Sequence, residues 1–165
     1  MNLIHIIFFM LLFPTMLHAK VSFSSDEVII TLPHHIQASG NTTFSSDDVD
    51  INAQSFEYDV MSANGSFESN VKLTYLNASL IAQSIEFNTS SQAISGKSNI
   101  LFDAPNLSAQ SDSFTIEDTS LLTLRDNVLI QRNDGQIQSN ELIYNLKTDS
   151  ILSTERVKLK LMIEE

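Results

Sequence analysis

Four stretches of the chain repeat one another: "AQSFEYD" from Ala53, "AQSIEFN" from Ala82, "AQSDSFT" from Ala109 and "SNELIYN" from Ser139. Their first residues are 29, 27 and 30 positions apart. A second landmark falls between them: "NVKL" at Asn70, "NILF" at Asn99, "NVLI" at Asn127 and "RVKL" at Arg156, spaced 29, 28 and 29. Stepping one period back from Asn70 reaches "NTTF" at Asn41. Two interleaved landmarks holding phase over five units of about 29 residues restrict the chain to a repeat architecture, in which each unit is one supersecondary element that buries its apolar face only against its neighbours.

The unit is built from strands. Val71, Leu73 and Tyr75 alternate with polar residues, as do Ile100 with Phe102, Val128 with Ile130, and Val157, Leu159 with Leu161. That is period 2, the mark of a half-buried strand. The first landmark alternates too, but its phase flips within each copy. Ile51 and Ala53 give way to Phe56 and Tyr58, Leu80 and Ala82 to Ile85 and Phe87, Leu107 and Ala109 to Phe114 and Ile116, Ile137 and Ser139 to Leu142 and Tyr144. A regular strand would turn half of these residues to water. A β-bulge, or a strand bending from one sheet into a facing one, removes the conflict. The recurrent Gln-Ser, at 54–55, 83–84 and 110–111, marks the expected corner, so each unit pairs one corner-turning strand with one regular strand. About ten antiparallel strands in two layers follow, joined by polar turns such as "DVMSANG", "NTSSQA" and "NLKTDS". Tyr58, Phe87 and Phe102 recur at similar places in successive units, so they are expected to stack along the inside.

Composition excludes several functions. With 165 residues and 42% hydrophobic content the chain has enough apolar mass for one ordinary core. It has no Cys, which removes disulfides, thiolate catalysis and cysteine-based zinc sites. A formal charge of −11 opposes nucleic acid, whose phosphates call for a basic stripe. The apolar run Leu3–Leu17, followed by His18-Ala19-Lys20, reads as a secretory signal with cleavage after Ala19; a retained N-terminal anchor is the alternative. Residues 1–19 are thus expected to be a signal and residues 20–165 one exported domain.

On "INAQSFEY" (51–58), "LIAQSIEF" (80–87), "SGKSNILF" (95–102), "LRDNVLIQ" (124–131) and "IQSNELIYNLKTDSILSTERVKL" (137–159), the chain resembles the OstA-like domain. This is the β-jellyroll of the lipopolysaccharide-transport proteins LptA and LptC and of the N-terminal part of LptD. The chain departs from that pattern in two ways: the usual Gly of "GNV" is Ser69, Ser98 or Asp126, and Asp112 takes a slot that is apolar in the other copies. The resemblance implies an all-β fold, a twisted and partly open antiparallel β-jellyroll, and a periplasmic carrier rather than an enzyme, with no cofactor. It implies lipopolysaccharide as ligand, with lipid A acyl chains in the apolar interior. It also implies partners among LptC-like and LptD-like jellyrolls of the export bridge, or a head-to-tail homo-oligomer. Phe56, Tyr58, Leu73, Phe87, Phe102, Ile130 and Tyr144 are the lipid-lining candidates, and a filled structural core is the competing role for such residues. Two further roles stay open: an LptC-like membrane-anchored partner of the transporter, or a lipid-free structural β-repeat protein of the envelope.

Other chemistry is thin. His34 and His35 point to opposite faces of a strand, a poor metal pair. The acidic "DDVD" of Asp47, Asp48 and Asp50 lacks the Gly and terminal Glu of a calcium loop. Both read as solvated turns.

Overall fold

The computed structural model describes residues 22–31, 34–47, 49–117, 120–132, 135–148, 150–152 and 158–161. The expected signal segment lies outside them. Eight long strands carry the fold: β3 (His35–Ser45), β4 (Val49–Asp59), β5 (Asn64–Tyr75), β6 (Ala78–Asn88), β7 (Ala93–Ala104), β8 (Leu107–Glu117), β9 (Leu121–Arg132) and β10 (Gly135–Asn145). Four short strands flank them: β1 (Ser22–Ser24), β2 (Glu27–Thr31), β11 (Ser150–Leu152) and β12 (Lys158–Leu161). All twelve belong to one antiparallel sheet, in which each of β3 to β10 pairs with the next strand in the chain. The count exceeds the expected ten because each end of the sheet is finished by two short strands. β1 pairs with residues 43–45 and β2 with residues 35–39 of β3. β12 pairs with residues 135–138 and β11 with residues 143–145 of β10.

Every long strand is broken near its middle. The register slips between Ser39 and Thr42, Asn52 and Ser55, Glu68 and Val71, Ile81 and Ser84, Lys97 and Ile100, Gln110 and Ser113, and Ser139 and Glu141. The expected corner is therefore present next to Gln54-Ser55, Gln83-Ser84 and Gln110-Ser111. The extra residue, however, sits on the partner strand. Gly40-Asn41, Ser69-Asn70, Ser98-Asn99 and Asp126-Asn127 all have positive φ, from 47° to 75°. Two left-handed residues on β3, β5, β7 and β9 oppose the single Gln83, Asp112 or their equivalents on the even strands. The strands expected to be regular are the bulged ones. Their alternation keeps phase, Phe67 to Val71, because the left-handed pair adds an even number of residues. The even strands flip phase, Ala53 to Phe56, to stay in step. Asn at the second left-handed position is a local cause, since Asn tolerates this conformation better than other residues with a Cβ.

The structure also corrects the third copy. Val71 pairs with Ala82 and Ile100 with Ser111, and Ser139 pairs with Val128. The residue equivalent to Ala53 and Ala82 is thus Ser111, not Ala109, and "SDSFTIE" is the true repeat of "AQSFEYD". Asp112 then aligns with Gln54 and Gln83, which are exposed, and its apparent departure from the pattern disappears.

A bulge bends its strand, and the four aligned bulges, each breaking the register with the strands beside it, fold the sheet into two layers. The first layer holds residues 42–45, 49–53, 71–75, 78–82, 100–104, 107–111, 128–132 and 135–139, with β1 and β12. The second holds residues 35–39, 55–59, 64–68, 84–88, 93–97, 113–117, 121–125 and 141–145, with β2 and β11. Phe102 on β7 and Tyr144 on β10 are three strands apart, about 14 Å in a flat sheet, yet their ring centroids lie 5.2 Å apart. They meet because they project from opposite layers. Phe23 and Phe56 meet the same way, at 5.4 Å.

The turns opposite the corner are held by side chains. The Asp59 carboxylate accepts from the Ser62 backbone N–H at 2.7 Å, Asn88 Oδ1 from the N–H groups of Ser90 and Ser91, and Asn145 Oδ1 from those of Lys147 and Thr148. These are the polar turns read from the sequence, working as side-chain mimics of backbone turns.

Candidate functional site

The inner faces of the two layers form four cross-strand rows. Beside the corner, in the first layer, run Thr42, Ala53, Val71, Ala82, Ile100, Ser111, Val128 and Ser139. β-Branched residues alternate with small ones, which lets the concave side of the bend close without voids. Ser111 and Ser139 are buried, and their hydroxyls donate across the bulge to the carbonyls of Ser113 (3.0 Å) and Glu141 (2.7 Å). Farther out lie Phe44, Ile51, Leu73, Leu80, Phe102, Ala109 and Ile130.

The second layer faces them with Ala38, Phe56, Phe67, Ile85, Gly96, Phe114, Leu124 and Leu142 beside the corner. Beyond these come Ile36, Tyr58, Gly65, Phe87, Ile94, Ile116, Leu122 and Tyr144. The two glycines make room for rings: a Cβ on Gly65 would fall 2.2 Å from Phe87 Cζ, and one on Gly96 would fall 2.3 Å from Phe114 Cε1.

All seven lining candidates face this interior. Phe56, Tyr58, Leu73, Phe102, Ile130 and Tyr144 are buried, and Phe87 is half-buried. They do not form the single stack expected from the sequence. Tyr58 and Phe87 are parallel neighbours 6.0 Å apart in the second layer. Phe102 lies in the first layer, because the third unit places Ile116 where the others have Tyr58 and Phe87. Phe56 instead gathers Phe23, Phe67 and Phe87 around it, at 5.4, 4.9 and 6.2 Å. Phe67 and Phe114 belong to the same lining as the seven. Both were legible as apolar members of the alternation, and recurrence across units was too narrow a criterion to select them.

The seam between the layers is open at the N-terminal edge. Val28 and Ile30 pair with Ala38 and Ile36, so they face inward, yet they are 48% and 43% exposed. Ile29 on the other face is equally exposed, and among the described residues the far edge of β2 is unpaired. A cleft of about 950 Å³ lies at the hairpin tips of the first layer, between the β5–β6 turn at Leu76-Asn77 and the β7–β8 turn at Pro105-Asn106. Its inner side is formed by Ala78, Ala104, Leu107 and, from the facing layer, Ile151.

The polar motifs do little. His34 is exposed in a turn, while His35 belongs to β3, where its Nε2 lies 2.9 Å from the Glu57 carboxylate on β4. Asp47 and Asp50 are exposed, and Asp48 lies outside the described residues. Among the described residues no three His, Asp or Glu side chains converge to hold a metal.

No curated protein sequence matches the chain. Among solved structures it is similar to the crystal structure of LptH from Pseudomonas aeruginosa, described as the LptA-homologous periplasmic component of the lipopolysaccharide transport device, with a TM-score of 0.58 at 11% identity. The match covers 71% of this chain and 95% of that one. At that identity the likeness establishes the fold: an all-β, LptA-like jellyroll. The sequence itself matches a family model over residues 45–162, which takes in β4 to β12 and the seven strand corners from Gln54 on β4 to Asn140 on β10. With most of its length inside that model, the chain belongs to the LptC-related family of lipopolysaccharide-assembly proteins, transport proteins rather than enzymes.

Proposed function

We propose that the chain is a periplasmic component of the lipopolysaccharide transport bridge and holds lipid A acyl chains between its two layers. The observation that carries this reading is the continuous apolar seam, running strand by strand from the exposed Val28 and Ile30 at one edge to Tyr144 and Ile151 at the other. Each acyl methylene taken from water contributes about 0.8 kcal/mol, so several chains bind without any charged contact. The four inner rows contain no Lys or Arg. The anionic head therefore stays outside, which suits a protein of charge −11. In the closed structure the aromatic rings fill the seam, and binding requires the layers to part.

The family model favours an LptC-like place in the bridge, beside the transporter. Its neighbours would be other jellyrolls or a second copy, docked on the unpaired edge of β2, since such an edge accepts a strand. Replacing Ile30 by Lys should abolish that docking while leaving the monomer folded.

The test is photo-crosslinking in cells. Probes at Phe87 and Phe102 should capture lipopolysaccharide, whereas a probe on the outer face at Lys72, away from the hairpin tips, should not. Equal labelling at both kinds of position, or none at either, would make the interior a structural core and the protein a lipid-free envelope component.

A further inference from the structure

We infer that the cleft at the hairpin tips of the first layer is a saccharide seat, taking an uncharged, hydroxyl-rich oligosaccharide. This rests on the carrier reading only in assigning that sugar to the head of the lipid. One wall of the cleft is a single cross-strand row on the outer face: Thr74, Ser79, Asp103, Ser108 and Gln131, each directly opposite the next on β5 to β9. Adjacent members are about 4.8 Å apart, comparable to the length of a pyranose unit. Hydroxyl and amide groups both donate and accept, as sugar hydroxyls do. Among the described residues Asp103 is the one charged group lining the cleft, and it already accepts from the Ser108 hydroxyl at 2.6 Å. With Asp103 and no Lys or Arg among the described lining residues, the cleft disfavours phosphate and carboxylate and suits neutral sugar. A peptide strand finds no free edge there, because β5 to β9 are paired on both sides.

Placement supplies the second argument. The volume, about 950 Å³, lies at the top of the usual range of roughly 300–1,000 Å³ for small-molecule sites. Ile151 closes the inner side from the second layer, and it pairs with Tyr144, whose ring touches Phe102. The cleft thus opens onto the apolar seam. An amphiphile fits both at once, with its chains between the layers and its sugars along the row.

The experiment uses the exported chain, a free neutral probe (maltotetraose) and two lipopolysaccharides that differ only in their neutral outer hexoses. Maltotetraose should shift the backbone amide signals of residues 74–79, 103–108 and 131. The hexose-bearing lipid should bind about tenfold more tightly than the trimmed one. Ser108→Trp, on an exposed position, should remove the shifts and the tenfold difference while leaving the trimmed lipid's affinity unchanged; Lys72→Trp should change neither. Absence of the shifts overturns the seat, whatever the lipids do. Shifts with equal lipid affinities keep the cleft as a site for free saccharide and overturn the joint seat. Shifts with no binding of either lipid keep the cleft and sink the carrier reading instead.

Discussion

Gly96→Ala tests the close packing of the second layer. Gly96 lies directly opposite Phe114, and a Cβ there would approach Phe114 Cε1 to 2.3 Å and the Ser84 carbonyl oxygen to 2.8 Å. Phe114 is 1% exposed, so its ring has no solvent to swing into, and the carbonyl belongs to a paired strand. Overpacking of this kind costs about 1–3 kcal/mol. Replacing a strand glycine by alanine returns about 0.5–1 kcal/mol. The net loss should be about 1–2 kcal/mol, or roughly 2–8 °C in Tm for a chain of this size. Gly65→Ala is the internal comparison. Its Cβ would meet Phe87 Cζ at 2.2 Å, but Phe87 is half-buried and its ring can turn outward, so the loss should be smaller. Urea unfolding followed by circular dichroism measures both. In a Phe114→Leu background, which removes Cε1, the Gly96→Ala loss should shrink by about 1 kcal/mol through the coupling of touching residues. An unchanged or raised midpoint for Gly96→Ala would refute the claim that the glycine is there to admit the ring.

Ser69→Gly, Ser98→Gly and Asp126→Gly should each stabilise the protein by about 0.5–1 kcal/mol, because these residues hold φ of 62° to 68° where a Cβ is strained; a uniform loss in denaturant titrations would mean their side chains do more at the corner than their backbone costs. The Asp59 carboxyl is held below its ordinary value of 3.8, first by the Ser62 backbone N–H and then by the Ser62 hydroxyl. Its contribution to the β4–β5 turn is therefore complete above that value and is lost as pH falls through the lower, folded one. NMR titration should place Asp59 below 3.8, and Ser62→Ala should raise it part of the way; a midpoint at or above 3.8 in the native chain would contradict the hydrogen-bonded turn.

Much of the architecture was written in the alternation of apolar residues. The step from Ala53 to Phe56 announces a break in the strand, because no regular strand buries both. Which strand carries the extra residue is not written there, since a left-handed pair leaves the phase of Phe67 and Val71 intact. Only Asn70, Asn99 and Asn127 hint at it, through their tolerance of positive φ. The third copy misled because "AQS" at Ala109 matches by letter, whereas the corner asks only for a small inward residue followed by a polar outward one. Ser111-Asp112 meets that demand as well as Ala82-Gln83. The lining residues were legible as inward-facing, but their partners were not. Whether Phe102 meets Phe87 or Tyr144 depends on which layer each strand half enters, and that follows from the bulges. The cleft was invisible because its row is assembled from five strands, one residue from each.

The unbroken order of the sheet bears on how the chain is made. Every long strand pairs with its successor, so hairpins form in the order in which the polypeptide emerges, and none has to wait for a distant segment. Low contact order of this kind favours rapid folding, and a modular chain nucleates in any hairpin and grows from it. The contacts that must come later are those that close one layer over the other, Phe23 on Phe56 and Phe102 on Tyr144. The same modularity makes length adjustable. Inserting or deleting one 29-residue unit adds or removes two strands without disturbing any other pairing, and thereby changes the length of the seam by about 9.6 Å.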